Sequence, residues 1–314
     1  MQEQPPQVAL QTTRRTLLTR VAAGLAGGAL ASLIAACSSP STTPAATSKP
    51  AGAAPTTPPA AGATSAPAAA GKPAASGAAR GAGGSLRVLM WQGPTILNPH
   101  LAQGTKDFIA ARFCCEPLIT VSGDGKFSAV LAAEVPSKEN GGLSADGKSV
   151  TYKLKPGIKW ADGEPFTADD VVFTYQYIAN KETAATTYGT FADLDSVEAV
   201  DPTTVKLTFK ATTGGWYVPF LGTNGMIVPK HALEKYVGTA SRDAPFNLKA
   251  FGTGPFMVSD FKPGDVVTLT VNPNYRDPGK PYFNQVDIKG GGDAVSAARA
   301  VLQTGEYDYA WNLQ

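Results

Sequence analysis

The sequence predicts an α/β fold carrying an inserted β-rich subdomain, and three observations predict it. A short apolar run, Leu86-Arg87-Val88-Leu89-Met90-Trp91, follows glycines and precedes a helical pattern, as a buried strand and its covering helix do. From about residue 123 to 209 the texture changes to period-two alternation broken by Pro-Gly and Asp-Pro turns, which reads as antiparallel hairpins. In the last third, strands and a helix alternate again.

The bulk numbers fit such a body. The chain has 314 residues, of which 43% are hydrophobic, enough for a substantial core. Lys and Arg number 27 against 25 Asp and Glu, and apart from Arg14-Arg15 they are scattered singly, so the basic stripe of a nucleic-acid binder is missing. No nucleic-acid partner is expected.

The chain opens on a targeting pattern. Arg14 and Arg15 stand in T-R-R-T-L-L and are followed, after Arg20, by an uncharged Ala/Gly/Leu run over 21–36. That run is too short and too weakly apolar to span a bilayer, which takes about 20 apolar residues, and the paired arginines read as a twin-arginine export signal. The run ends in Leu33-Ile34-Ala35-Ala36-Cys37, which resembles a bacterial lipobox and marks Cys37 for lipidation. Residues 38–84 contain Ser, Thr, Pro, Ala, Gly and three basic residues but no Leu, Ile, Val, Met or aromatic side chain. Nothing there offsets the entropy of ordering the backbone, and a flexible tether of that length spans very roughly 40 Å. The expected division is a signal at 1–36, a lipidated tether at 37–84 and a folded part at 85–314.

In the folded part, the first helix is expected over 108–113, where Phe108, Ile109, Arg112 and Phe113 have helical spacing and Pro117 marks the end. Val150, Tyr152 and Leu154 alternate up to Pro156-Gly157, and Val205, Leu207 and Phe209 alternate after Asp201-Pro202. Between them Thr167 reads as an N-cap, Asp169 and Asp170 as first-turn acids, and Val171, Val172, Tyr175 and Ile178 as an apolar face. Later, Val267, Leu269 and Val271 form one strand and Val286 and Ile288 another. Asp293 caps a helix with Ala294, Ala297, Ala298 and Val301 inward, and Gly305 ends it. A last strand begins at Tyr307, and so apolar a strand is rarely a natural terminus.

Several chemical readings fail on spacing. The acids Asp162, Glu164, Asp169 and Asp170 lack the alternation of a calcium loop and read as a turn and a helix start. Gly290-Gly291-Gly292 is followed by no Gly-Lys-Ser/Thr, and Val295 stands where a dinucleotide loop needs its third glycine; Gly252-Thr253-Gly254 fails likewise at Met257. Cys114 and Cys115 are adjacent and match no metal spacing, so they read as buried or semi-buried thiols. His100 and His231, the two histidines, accompany no nucleophile motif. No cofactor and no metal are expected.

The segment at 153–173, K-L-K-P-G-I-K-W-A-D-G-E-P-F-T-A-D-D-V-V-F, closely resembles the signature of the family 5 solute-binding proteins, the dipeptide- and oligopeptide-binding proteins of ABC importers. I-L-N-P-H at 96–100, V-P-K-H at 228–231, G-T-G-P-F at 252–256, N-P-N-Y at 272–275 and L-Q-T-G-E-Y-D at 302–308 stand in the family's order. The resemblance implies a type II, periplasmic-binding-protein-like clamp of two lobes, with lobe one at 85–122 and 226–314 and the inserted subdomain at about 123–225. In that family the chain builds a second lobe after the last motif, so this sequence reads as a fragment without it. Implied partners are a peptide, an ABC permease with its ATPase subunits, and the outer face of the cytoplasmic membrane through the lipid. By the resemblance, Gln103, Gly104 and Thr105 align with a ligand-contacting loop, Trp311, Asn312 and Leu313 with a ligand-lining strand end, and Tyr188 with a further contact. A peptide main chain is held by backbone N–H and C=O groups and its side chains by roomy wet pockets. Nickel, haem or an oligosaccharide remains open as the ligand, and a secreted lipid-anchored hydrolase remains the alternative of another class.

Overall fold

The computed structural model of the protein describes residues 79–291 and 293–311. Arg14, Arg15 and Cys37, and Asn312 and Leu313 at the other end, lie outside the described residues. Strand β1 (Ser85–Met90) leads through a long loop into helix α1 (Thr105–Ala111). The helix starts three residues before the expected span and ends two before it, because its buried side is Asp107, Ala110 and Ala111. The spacing of Phe108, Ile109 and Arg112 had marked its more exposed flank.

A hairpin of β2 (Ile119–Val121) and β3 (Phe127–Ala129) follows. Next come β4 (Ser149–Lys153), α2 (Ala168–Ala179), the single turn α3 (Tyr188–Phe191), β5 (Leu194–Asp201) and β6 (Thr204–Phe209). These strands form an antiparallel sheet in the order β4-β6-β5. Val150 and Tyr152 on β4 and Val205 and Leu207 on β6 are wholly buried, as period-two alternation requires of a half-covered sheet. They join Trp160, Val171 and Ile178 in one hydrophobic cluster.

After the single turn α4 (Lys230–Leu233), strands β7 (Phe256–Lys262), β8 (Val266–Val271) and β9 (Gln285–Gly290) return to β1. Helix α5 (Ala294–Arg299) continues as wider turns to Thr304 and stops at Gly305, whose φ of 64° is left-handed. Asp293 caps it through the N–H groups of Val295 and Ser296. The last strand, β10 (Tyr309–Ala310), is only two residues long. The five strands lie in the order β10-β1-β9-β8-β7, with β1 parallel to both neighbours and β8 antiparallel to both β7 and β9. Val88, Met90, Val267, Leu269, Val286 and Ile288 fill a second cluster.

Helix α2 is buried on two sides, where the sequence suggests one. Val171 and Ile178 belong to the first cluster, and Phe173 and Tyr177 to the second. Its start is held by Asp170, whose carboxylate accepts from the N–H groups of Thr167 (3.0 Å) and Lys230 (3.1 Å) and from the Trp160 indole (3.3 Å). Burial raises the Asp170 carboxyl and these three donors oppose the rise.

Residues 80–84, counted with the tether in the sequence, are fastened to the body. The Arg80 guanidinium donates to the carbonyls of Pro273 (2.9 Å), Tyr275 (2.5 Å) and Asp277 (3.1 Å), and the N–H groups of Gly81 and Gly83 donate to Pro281 and Tyr282. A composition poor in apolar residues concealed this, because the contact is made by one planar fork of donors and by backbone.

Candidate functional site

Parallel pairing sets where a site can form. Val88 lies opposite Tyr309 and Leu89 opposite Ala310, while residues 85–90 run in register with 285–290. The carboxyl ends of β1, β9 and β10 therefore share one sheet edge, the place where open α/β sheets leave a crevice. Trp91, Gly291 and Trp311 are the residues that leave these strands. Backbone bonds tie the edge together, from Trp311 N–H to Leu89 (2.9 Å) and from Gly291 N–H to Met90 (3.0 Å). Gly290 packs directly on Gly93, so a Cβ there would collide with the loop after β1. Gly290 thus serves close backbone approach, as do Gly252 and Gly254 against the Cys114 carbonyl.

The loop after β1 is fixed by buried polar side chains. Asn98, His100 and Asp107 are all completely buried. The Asn98 amide donates to the Tyr177 hydroxyl and to Asn247, both at 3.1 Å, and its oxygen accepts from the His100 N–H. His100 Nε2 faces the Met226 carbonyl at 2.8 Å, so it carries the proton, and Nδ1 accepts from the Thr187 hydroxyl at 2.9 Å. Burial pushes this imidazole down to about 4, against the pull of the Met226 bond. Thr186 adds a backbone bond to the His100 carbonyl at 2.8 Å.

Gln103, Gly104 and Thr105 follow at once. Gln103 and Thr105 are exposed, and Thr105 is the first residue of α1 rather than part of the loop. One turn on, Ile109 and Arg112 continue the Thr105 flank of the helix. They line an open concavity of about 480 Å³ with Phe113, Phe256, Tyr309 and Trp311. The half-buried Trp311 packs on the second cluster at the same time. Tyr188, half exposed, borders a separate concavity of about 330 Å³ with Ile178, Lys181 and Ala184. Neither concavity includes Gln103 or Gly104. Tyr188 is nevertheless linked to the loop, because its neighbour Thr187 holds His100.

The remaining candidates find structural places. His231 Nε2 meets Asp162 at 2.7 Å with both side chains partly exposed, and the ring lies 6.2 Å from Trp160 and 5.9 Å from Phe251. Cys114 and Cys115 are free and buried; burial raises the first thiol well above its ordinary value and the second to about 12. Among the described residues, no group of three metal-ligating side chains is found. Asp107 and Asn98 were not singled out in the sequence. An acid in a first helical turn reads as a solvated partner of the helix dipole, and only the loops folding over it make it a buried acceptor.

Comparison with known proteins identifies the scaffold. Bacterial extracellular solute-binding proteins, family 5, match over their middle region to residues 127–314. The chain is 35% identical over 188 residues to the oligopeptide-binding protein AppA of Bacillus subtilis, covering 59% of this chain and 33% of that protein. It is 29% identical over 217 residues to the glutathione-binding protein GsiB of Escherichia coli, covering 69% and 40%. The fold superposes on AppA in complex with a nonapeptide with a TM-score of 0.65 at 29% identity, over 73% of this chain and 44% of that one. It also superposes on MoaA of Agrobacterium tumefaciens R10 in complex with mannopinic acid, with a TM-score of 0.61 at 28% identity, over 73% and 45%. The chain thus spans between a third and a half of the length of these relatives. It belongs to the family 5 bacterial extracellular solute-binding proteins.

Proposed function

We propose that this protein is the extracytoplasmic capture component of an ABC importer and that its ligand is a peptide delivered to a membrane permease. The observation that carries this reading is the family match together with likeness to AppA and GsiB, which bind oligopeptides and glutathione. The sheet edge supports it, since exposed Gln103 and Thr105 and the aromatic strand end at Trp311 lie on elements that leave parallel strands on one side. In this reading Gln103, Gly104, Thr105, Trp311, Asn312 and Leu313 line the cleft, with Tyr188 at its margin. Residues from about 123 to 225 form the inserted subdomain and the five-stranded sheet belongs to lobe one. Cys37 carries the lipid, and Arg14 and Arg15 direct export. A non-peptide solute is the second reading, favoured by the likeness to MoaA. Hydrolysis is disfavoured because His100 is a neutral, enclosed ring and His231 packs on aromatic neighbours.

Protein recovered from its native membrane and denatured under mass spectrometry tests the proposal. Release of peptides, from a chain whose N-terminus is a diacylated or triacylated Cys37, is expected. Release of mannopinic acid or another non-peptide solute and no peptide overturns the peptide assignment, and an unmodified N-terminus elsewhere overturns the anchor.

A further inference from the structure

Asp107 is a charged side chain with no exposed surface, and its partners come from two loop segments beside the candidate cleft. Its Oδ1 accepts from the N–H of Thr95 at 2.6 Å, and its Oδ2 from the N–H of Gln103 at 2.8 Å. The Ile96 N–H reaches Oδ1 at 3.4 Å, the Thr95 hydroxyl reaches both oxygens at 3.3 Å, and Lys106 Nζ lies 2.9 Å from each. A buried carboxylate is tolerated only when its acceptor sites are filled, and here backbone of the loop after β1 fills them together with the Thr95 hydroxyl and the Lys106 ammonium. The segment between Asp107 and the equally buried His100 holds Gln103, Gly104 and Thr105. The exposed Gln103 therefore lies between two buried polar groups.

We infer that Asp107 is a positioning residue for ligand capture: its carboxylate staples the backbone at 95–96 to that of Gln103 and presets Gln103 before the ligand arrives. This inference rests on the ligand-capture reading above. Apparent affinity falls in proportion to the fraction of protein whose loop is competent, so a loosened staple weakens binding without removing any ligand contact. Asp107→Asn keeps the size of the side chain but offers Gln103 N–H a second donor in place of an acceptor. Asp107→Glu keeps the charge and displaces it by one methylene.

The test uses the complete exported protein, a randomised nonapeptide pool as ligand, and amide exchange resolved at Thr95, Ile96 and Gln103. Val205→Ala, in the distant antiparallel sheet, serves as a variant that loses stability without touching the loop. Asp107→Asn should accelerate exchange at the three amides and weaken pool binding about tenfold or more, whereas Val205→Ala at an equal loss of melting temperature should leave affinity within about twofold. Asp107→Glu should fall between them and supplies the answer if the Asn variant does not fold. Folded Asp107 variants with wild-type affinity, or Val205→Ala weakening binding equally, would overturn the positioning role. If the wild type binds no nonapeptide, the peptide assignment fails on its own. Exchange then decides the staple, and unchanged rates at Thr95 and Gln103 would sink it.

Discussion

In the β4-β6-β5 sheet the wholly buried residues are Val150, Tyr152, Val205 and Leu207, whereas in and just after the loop that follows β1 they include Asn98, His100 and Asp107. The first region is held by apolar area and ladder hydrogen bonds. The second is held by directed polar bonds from side chains to backbone, which fix atoms in position where a repeating ladder cannot run. Burial of an apolar side chain tolerates small shifts, while a buried polar group left unpaired is costly. A loop that must present side chains to solvent without moving is better served by the second plan.

The largest effect should come from the apolar region. Trp160 is wholly buried, lies edge-on to Phe166 with ring centroids 5.7 Å apart, and donates to Asp170. Trp160→Ala should cost about 3–5 kcal/mol, read by urea denaturation. A loss under about 1 kcal/mol would mean that this core collapses around the gap and is not the rigid partner in the comparison.

The loop region should instead respond to pH. His100 is neutral in the folded protein, with its pKa lowered from 6.5 to about 4. Between those values the unfolded chain binds more protons than the folded one, so stability is full above about 6.5, falls as pH drops through the window and levels off below about 4. For this group the loss amounts to about 3 kcal/mol. Unfolding free energies at pH 7 and pH 4.5, compared between wild type and His100→Gln, should show a pH dependence that is smaller in the variant. Equal slopes would place the imidazole in contact with water.

The smallest effect sharpens the contrast. Tyr152 hydroxyl is a buried polar atom in the apolar region without a partner among the described residues, and its pKa is raised out of its ordinary range by burial. Tyr152→Phe should stabilise by about 1 kcal/mol, visible as a higher melting temperature. A lower one would reveal a hydrogen bond at that oxygen.

These two plans also explain what the sequence conveys. Alternation at Val150, Tyr152, Val205 and Leu207 and the cap at Thr167 are local patterns, and the strands and α2 follow from them. The second buried face of α2, at Phe173 and Tyr177, depends on what packs against it, so periodicity cannot supply it. Family motifs pointed to the neighbourhood of Gln103 and Trp311. They left out Asp107, because its acceptor role exists only once residues 95–103 fold over it. Arg80 was hidden for the same reason, since its partners are carbonyls almost 200 positions away in the chain.

In the proposed function the loop after β1 and the end of β10 form a ligand-binding wall. Calorimetric titration of the complete exported protein with the nonapeptide pool tests it most directly, comparing wild type with Trp311→Ala and Gln103→Ala alongside their melting temperatures. The half-buried Trp311 and the exposed Gln103 predict an affinity loss of about tenfold or more, the scale of a contact worth 1.4 kcal/mol, with Gln103→Ala melting as the wild type does. Unchanged affinity with a lowered melting temperature in both variants would contradict the account and make them packing residues.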